Sequence, residues 1–167
     1  MGFIEKILKD KSVTPLKEGE MAPDFSGVDQ NGKKIALSNF KGKRLVLYFY
    51  PKDNTPGCTT EASNLRDNYE ELKKQGIEII GVSSDDEESH KGFSDKLKLP
   101  FRIVADTHKE IIHTYGVWGI KSLLGKTFDG TLRTTFIIDK AGKIEKIISK
   151  VDTGNHAGQI LLAINSL

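Results

Sequence analysis

Residues 44–61 read Arg-Leu-Val-Leu-Tyr-Phe-Tyr-Pro-Lys-Asp-Asn-Thr-Pro-Gly-Cys-Thr-Thr-Glu, and they specify a strand, a turn and the start of a helix. The apolar run 44–50 predicts a fully buried strand. Pro51 ends that strand, because a proline cannot donate a hydrogen bond to a sheet. Thr55 is a favourable N-cap residue and Pro56 suits the first helical position, so a helix is expected to begin here.

Cys58 is the only cysteine among the 167 residues, and the predicted helix places it in the first turn. Unpaired N–H groups and the positive end of the helix dipole point at this turn, so they favour a thiolate over a thiol. The thiolate is the reactive form of cysteine. A lone cysteine is more often a buried structural residue. The strand, turn and helix start around Cys58, with the Thr55 hydroxyl at the same helix end, favour a reactive thiol instead.

These residues resemble the active site of the peroxiredoxins. Pro51-x-x-x-Thr55-x-x-Cys58 matches the Pro-x-x-x-Thr/Ser-x-x-Cys signature of that family, and residues 50–62 are similar to the Q subfamily, also called bacterioferritin comigratory proteins. The resemblance runs from about Ala22 to the C-terminus. It includes Ala22-Pro-Asp-Phe25, Val117-Trp-Gly-Ile-Lys121, Gly125-Lys126 and Gly130-Thr-Leu-Arg133. It implies an α/β fold, a thioredoxin-like sandwich with a central mixed β-sheet flanked by helices.

The resemblance also implies an activity, a thiol-dependent peroxidase that reduces hydrogen peroxide and small alkyl hydroperoxides. Cys58 is then the nucleophile and becomes a sulfenic acid. Thr55 binds the peroxide oxygens, and Pro51 covers the pocket. Arg133 completes the site as a cation that stays charged and offers several donors in a fixed fork. Without the family pattern, Arg133 is equally well a surface residue of a strand.

Four further residues are expected to support this site: Gly57, Glu61, Tyr48 and Trp118. Glu61 is expected to orient the loop or the arginine. Tyr48 and Trp118 either line the pocket or belong to the core.

Position 63 departs from the family pattern. Many Q-type members carry a resolving cysteine five residues after the nucleophile, where this chain has Ser63. Two Cα atoms five residues apart on a helix are separated by about 8–9 Å. That separation exceeds the reach of a disulfide, so members with such a pair must partly unwind the helix. Ser63 is either natural to a one-cysteine enzyme or an engineered replacement of cysteine.

The reductant follows from the same cysteine count. With one cysteine no intramolecular disulfide can form, so recycling requires an external thiol, either a small thiol or a thioredoxin-like protein. A second hypothesis makes the chain a redox-switched sensor or chaperone-like binding module that uses Cys58 oxidation. Only the peroxidase needs Arg133 for its rate.

The rest of the chain predicts alternating strands and helices. Strands are expected at 33–37, 77–82, 101–104, 133–138 and 143–148, the last two as a hairpin. Helices are expected from Thr55 to a terminator at Gly76, from a Ser84 capping box to about Leu97, from Asp106 or Thr107 through Tyr115, and over 155–167 and 1–11. A Gly-rich stretch covers 116–130, and the family resemblance implies that its segment 119–127 is a loop near the active site. Residues 1–20 are expected to form an N-terminal extension and 21–167 one domain.

Composition excludes several other functions. The 25 basic and 23 acidic residues give a net charge of +2, so neither nucleic acid nor an anionic membrane is indicated as a partner. No apolar run approaches the roughly 18 residues of a membrane span, and residues 1–12 lack the apolar region of a signal peptide. A single cysteine fits a reducing compartment, so a cytoplasmic protein is expected. Q-type relatives are often monomers and sometimes dimers, so a monomer is expected.

No metal or other cofactor is predicted. The segment 119–127 imitates a phosphate-binding loop but has five residues between its glycines, where that motif has four. The four histidines lack ligand spacing; they are His90, His108, His113 and His156. Disulfide exchange through a Cys-x-x-Cys motif is excluded by the single cysteine.

Overall fold

The computed structural model describes residues 14–165, so the helix predicted over 1–11 lies outside the described residues. The strands are β1 Ser26–Val28, β2 Lys34–Ala36, β3 Arg44–Phe49, β4 Ile77–Ser83, β5 Arg102–Ala105, β6 Trp118–Leu123, β7 Lys126–Thr131, β8 Thr134–Ile138 and β9 Ile144–Ile148. A short 3-10 helix spans Leu37–Phe40, and the α-helices are α1 Pro56–Asp67, α2 Tyr69–Lys74, α3 Glu87–Leu97, α4 Glu110–Thr114 and α5 His156–Asn165.

The main sheet has five strands in the order β5-β4-β3-β8-β9. The central strand β3 pairs parallel with β4 and antiparallel with β8, and β8 and β9 form the predicted hairpin. Side chains alternate across β3: Leu45, Leu47 and Phe49 enter one apolar cluster, whereas Val46 and Tyr48 enter the cluster that contains Cys58. The predicted mixed α/β sandwich is therefore confirmed, and Cys58 lies on one face of its sheet.

The prediction of a single helix from Thr55 to Gly76 is wrong, because the helix is interrupted at Asn68. The Asn68 backbone leaves the helical region at φ −108° and ψ 8°, and its side-chain Nδ2 donates to the Asn64 carbonyl at 2.8 Å. Asparagine side chains compete in this way with backbone N–H groups for the carbonyls of a helix. The inward face nevertheless stays continuous across the break, since Ala62, Leu65, Tyr69 and Leu72 are all buried.

Two helix starts differ from prediction. The cap of α3 is Asp86 and not Ser84, because the Asp86 carboxylate accepts from the Ser89 N–H at 2.8 Å. The Asp106 carboxylate does bind helix N–H groups, those of Ile111 and Ile112 at 3.2 and 2.8 Å. Helix α4 itself begins only at Glu110, after Lys109 in a left-handed conformation.

The segment 119–127 is most of a β-hairpin, so the expectation of a loop is wrong. Strands β6 and β7 pair antiparallel over their whole length, with Gly119 opposite Gly130. Leu124 and Gly125 both have positive φ, 52° and 77°, which is the turn geometry that suits a two-residue hairpin connection. Leu-Gly is a weak sequence signal for this turn compared with Asn-Gly. The hairpin leads directly into Arg133 and β8.

The described residues before β1 lie against the rest of the structure. The Thr14 hydroxyl donates to the Tyr115 carbonyl at 2.6 Å, and the Gly19 N–H donates to the Ile144 carbonyl at 2.8 Å. The boundary between residues 20 and 21 stays a prediction. Among residues 14–165, none of the helices combines the length and the apolar character that crossing a membrane requires.

Candidate active site

Cys58 lies in the first turn of α1, as predicted, with only 1% of its surface exposed. Thr55 occupies the N-cap position, but its hydroxyl donates to the Lys52 carbonyl at 2.7 Å and makes no cap bond. The Thr59 N–H donates to the Thr55 carbonyl at 2.9 Å. The backbone N–H groups of Gly57 and Cys58 precede that bond, so they belong to the electropositive end of the helix.

Arg133 reaches this helix end from the segment that joins β7 to β8. Its Nη2 lies 3.4 Å from Cys58 Sγ, and its Nη1 donates to Glu61 Oε1 at 2.6 Å. The guanidinium also lies over Gly57, where an added Cβ would be only 3.2 Å from Nη2. Arg133, Glu61 and Gly57, all three predicted from the sequence as site residues, are therefore brought together around the sulfur.

Burial affects the ionisation of both Glu61 and Arg133. Burial raises the pKa of the Glu61 carboxyl to about 7, and the charge and hydrogen bond of Arg133 oppose that rise. For Arg133, burial lowers the pKa, but Cys58 and Glu61 outweigh it and the pKa is raised. The guanidinium thus stays charged beside the sulfur, whereas the carboxyl changes its charge near neutral pH.

Tyr48 and Trp118, the two aromatic candidates, lie in different surroundings. Tyr48 is buried in the Cys58 cluster, and its ring stacks on Tyr50 with centroids 5.5 Å apart. Burial, with the charges of Glu61 and Cys58, raises the pKa of Tyr48 well above its usual value. Trp118 packs against the other cluster, on the opposite face of the sheet.

Pro51 and Ser63 are both half-buried. Pro51 follows the end of β3, where the Tyr50 N–H still donates to the Val82 carbonyl at 3.0 Å. Ser63 lies within α1, five residues after Cys58, so a cysteine there would not reach the sulfur without local unwinding.

One buried pair that anchors the active-site loop has no signal in the sequence. Asp53 accepts hydrogen bonds from the hydroxyls of Tyr50 and Ser89 at 2.6 and 2.8 Å, and His90 Nδ1 lies 2.6 Å from the same carboxylate. His90 Nε2 lies 2.9 Å from the Val104 carbonyl. No spacing rule links Asp53 to a histidine 37 positions later, because only the fold brings them together.

This pair belongs to the one group of described residues with donor atoms close enough to hold a metal ion, namely Asp53, Asp85 and His90 within 4.8 Å of one another. Their oxygens already accept from protein donors: the Asp85 carboxylate binds the Asp53 N–H at 2.8 Å and the Ser83 hydroxyl at 2.6 Å. The cluster is therefore explained as a hydrogen-bonded anchor.

Lys121 is a second cation near the site, and the sequence pattern alone does not identify it. It lies on β6, and its side chain packs over Gly130, where an added Cβ would be 3.0 Å from Lys121 Cδ. Burial lowers the pKa of Lys121, Arg133 lowers it further, and Cys58 opposes the change. Lys121 is thus close enough to interact electrostatically with both. The sequence indicates Lys121 only in that it is the last residue of Val117–Lys121, one of the stretches that carry the family resemblance.

Comparison with known proteins agrees with this geometry. Residues 19–147 match the model of the AhpC/TSA family. The chain is 45% identical to peroxiredoxin Bcp of Escherichia coli over 149 residues, which cover 89% of this chain and 96% of that protein. It is 41% identical to peroxiredoxin Bcp of Bacillus subtilis, over 89% of this chain and 95% of that protein. A cysteine-to-serine mutant of Xanthomonas campestris peroxiredoxin Q has a similar structure, with a TM-score of 0.79, 34% identity, and coverage of 85% of this chain and 90% of that one. None of these relatives supports the alternative role as a sensor or binding module.

Proposed function

Because this chain belongs to the AhpC/TSA family, as a thioredoxin-like peroxiredoxin of the Bcp or Q type, we propose that its peroxidase chemistry is carried by Cys58, Thr55, Pro51 and Arg133. Membership of the family makes it a thiol-dependent peroxidase, with a peroxide as substrate and a thiol or thioredoxin-type reductant.

The first step is a nucleophilic displacement at oxygen. The Cys58 thiolate attacks one peroxide oxygen, so an S–O bond forms as the O–O bond breaks. The sulfur loses two electrons and becomes a sulfenic acid, and the other oxygen leaves as hydroxide or alkoxide and takes up a proton. The Thr55 hydroxyl, whose hydrogen is bound to the Lys52 carbonyl, accepts a hydrogen bond from the peroxide O–H. The backbone N–H groups at the start of α1 donate to the peroxide oxygens, and Pro51 limits access of water.

The observation that carries this assignment is the contact between Arg133 Nη2 and Cys58 Sγ at 3.4 Å. A fixed guanidinium stabilises the thiolate before reaction and the charge that develops on the leaving oxygen during it. Arg133 is held in place by Glu61, and the absence of a side chain at Gly57 leaves room for its guanidinium. The same donors therefore need little rearrangement in the transition state.

Recycling requires an external thiol, because Ser63 stands where many Q-type members have a resolving cysteine and Cys58 is the only cysteine of the chain. A thiol R–SH attacks the sulfenic acid, releases water and forms a mixed disulfide. A second thiol then attacks that disulfide and restores the Cys58 thiolate. A small thiol and a thioredoxin-like protein both satisfy this chemistry.

Substrate size, assembly and location complete the proposed function. The preferred substrates are hydrogen peroxide and small alkyl hydroperoxides, since the sulfur is almost fully buried. The protein acts as a monomer in a reducing compartment such as the cytoplasm. Residues 21–167 form the catalytic domain.

The test is the stoichiometry of peroxide reduction in the absence of a reductant. Stopped-flow mixing with hydrogen peroxide is expected to show a fast phase that consumes one equivalent per chain, followed only by the slower oxidation of the sulfenic acid to sulfinic acid. Added dithiothreitol is expected to restore continuous turnover. Sustained turnover without any thiol would contradict the one-cysteine mechanism.

A further inference from the structure

Glu61 has one oxygen that the proposed mechanism does not use. Its Oε1 accepts from Arg133, but its Oε2 is buried and has no hydrogen-bond partner among the described residues. An ionised oxygen left without a donor in this environment is costly. A titratable atom of a neighbouring element, Nε2 of His156 on α5, lies 3.7 Å from it.

The tautomer of His156 is fixed by Gln159. The Gln159 Oε1 accepts from the Asp152 N–H at 2.9 Å, and its Nε2 donates to the Lys150 carbonyl at 3.0 Å, so its amide orientation is settled. His156 Nδ1 lies 2.8 Å from that same Oε1, which is an acceptor, so Nδ1 must carry a proton. In the neutral ring, Nε2 therefore presents a lone pair.

That lone pair faces two groups. The Thr135 hydroxyl lies 2.8 Å from Nε2 and donates to it, and Glu61 Oε2 lies at 3.7 Å from the same nitrogen. A lone pair repels a carboxylate oxygen but accepts from a carboxylic O–H. Rotation about the last torsion of glutamate is soft, and it can bring a protonated Oε2 into hydrogen-bond range.

Charge balance also favours a neutral carboxyl. Arg133 contacts two acidic groups, Cys58 and Glu61. If both are ionised, the buried group carries a net negative charge. With Glu61 protonated on Oε2, its Oε1 still accepts from Arg133, and the positive charge of the guanidinium is balanced by the thiolate alone.

We propose that His156 is a positioning residue that accepts a hydrogen bond from the protonated Oε2 of Glu61 and so leaves the charge of Arg133 to the Cys58 thiolate. This proposal rests on the proposed function of Cys58 and Arg133. Burial lowers the pKa of His156 to about 4 and raises that of Glu61 to about 7, which places the proton on the carboxyl. His156 acts through Glu61 and does not touch the sulfur.

The other groups that face Glu61 do not offer an acceptor to Oε2. Arg133 binds Oε1 and contacts Cys58 with its other nitrogen. Tyr48, on β3, carries the other buried side-chain atom without a partner among the described residues, its hydroxyl, which is not within hydrogen-bond distance of Oε2. His156 is thus the group whose Nε2 lone pair, which the Thr135 hydroxyl also uses, lies beside Oε2.

The test uses two variants with opposite expected effects. Thr135→Val removes the hydroxyl that competes for the Nε2 lone pair, so the Glu61 proton is held more tightly. His156→Leu removes the acceptor. Infrared difference spectra of the whole protein, titrated with pH, report the carboxylic C=O band, which Glu61→Gln assigns by its loss.

The midpoint of the Glu61 band is expected to rise in Thr135→Val and to fall in His156→Leu, each by about one pH unit. The pH midpoint of Cys58 oxidation should move in the opposite direction to the band, because a neutral Glu61 leaves the charge of Arg133 to the thiolate. An unchanged or lowered band midpoint in Thr135→Val overturns the proposal. If His156→Leu does not fold, the result for Thr135→Val is sufficient to test the proposal. A purely structural role would change stability and leave the midpoint in place. Since the infrared titration uses no peroxide, its failure is distinct from a failure of the peroxidase assay.

Discussion

Arg133 binds Cys58 and Glu61 with the two ends of one guanidinium, at 3.4 Å from Sγ and 2.6 Å from Oε1. The sulfur and the carboxyl share the first two turns of α1, whereas the arginine comes from a distant part of the chain. The buried carboxyl of Glu61 therefore holds the guanidinium of Arg133 in place. The guanidinium in turn contacts the Cys58 sulfur at the start of the helix.

Replacing Arg133 by lysine should slow the oxidation of Cys58. An ammonium is a point charge without the fork that contacts Glu61 and the sulfur together. We expect the single-turnover rate with hydrogen peroxide to fall by about 10²–10³-fold, the usual effect of losing one oriented donor. Arg102→Lys is the matched control, because Arg102 binds Asp29 at 2.7 Å, away from the site. An Arg133→Lys rate equal to that of the control would remove the arginine from the mechanism.

Adding a methyl group at position 57 should displace the guanidinium. In Gly57→Ala the new Cβ would lie 3.2 Å from Arg133 Nη2, which is tighter than ordinary contact. The single-turnover rate is expected to fall roughly tenfold, since a displacement of a fraction of an ångström weakens an oriented charge contact. Gly92→Ala on α3 serves as control, because its Cβ would meet no atom within 4 Å. Equal rates for both variants would show that Gly57 has no role in placing Arg133.

Glu61 should make the stability of the protein depend on pH. Burial raises its pKa from 4.5 to about 7. Between these two pH values the folded state therefore binds more protons than the unfolded state. The stabilising effect is complete below the unfolded pKa of 4.5 and is lost as pH rises through about 7. Relative to Glu61→Gln, the native protein is expected to lose about 3 kcal/mol of unfolding free energy between these limits.

Urea unfolding of both proteins at about pH 5 and about pH 8 measures this difference. His156, whose pKa is lowered to about 4, titrates in both proteins, so its contribution largely cancels in the comparison. A difference between the two proteins that does not change with pH would contradict the raised pKa of Glu61.

Introducing a cysteine at position 63 should create an intramolecular resolving step. In Ser63→Cys, one equivalent of peroxide is expected to give a disulfide between Cys58 and the introduced cysteine, detected by peptide mass mapping without reduction. The reaction requires the helix to unwind locally, because the Cα separation along a helix is too large for the bond. Glu70→Cys, on the exposed side of α2, is the control. If Ser63→Cys forms no such disulfide, α1 does not open here.

Much of the fold followed from short-range patterns in the sequence. The apolar run of β3, Pro51 and the favourable start at Pro56 specify the strand, the turn and the helix that present Cys58. The differences from prediction have local causes that such patterns describe poorly, namely the side-chain bond of Asn68 and the left-handed backbone of Lys109.

The site was only partly predictable for a different reason. Cys58, Thr55 and Glu61 lie close together in sequence, whereas Arg133 was placed by resemblance to a family. His156 and the Asp53–His90 pair act over sequence separations that no periodicity encodes. Burial, which decides the charge of Glu61, is likewise a property of the assembled fold.

Cys58 should take one oxygen atom from the peroxide with the help of Arg133. Isotopically labelled hydrogen peroxide, rapid quenching and peptide mass analysis test this transfer most directly. We predict one labelled oxygen on Cys58 after one equivalent, formed much more slowly in Arg133→Lys, and no peroxide consumption by Cys58→Ser. Peroxide consumption by Cys58→Ser at the native rate would contradict it.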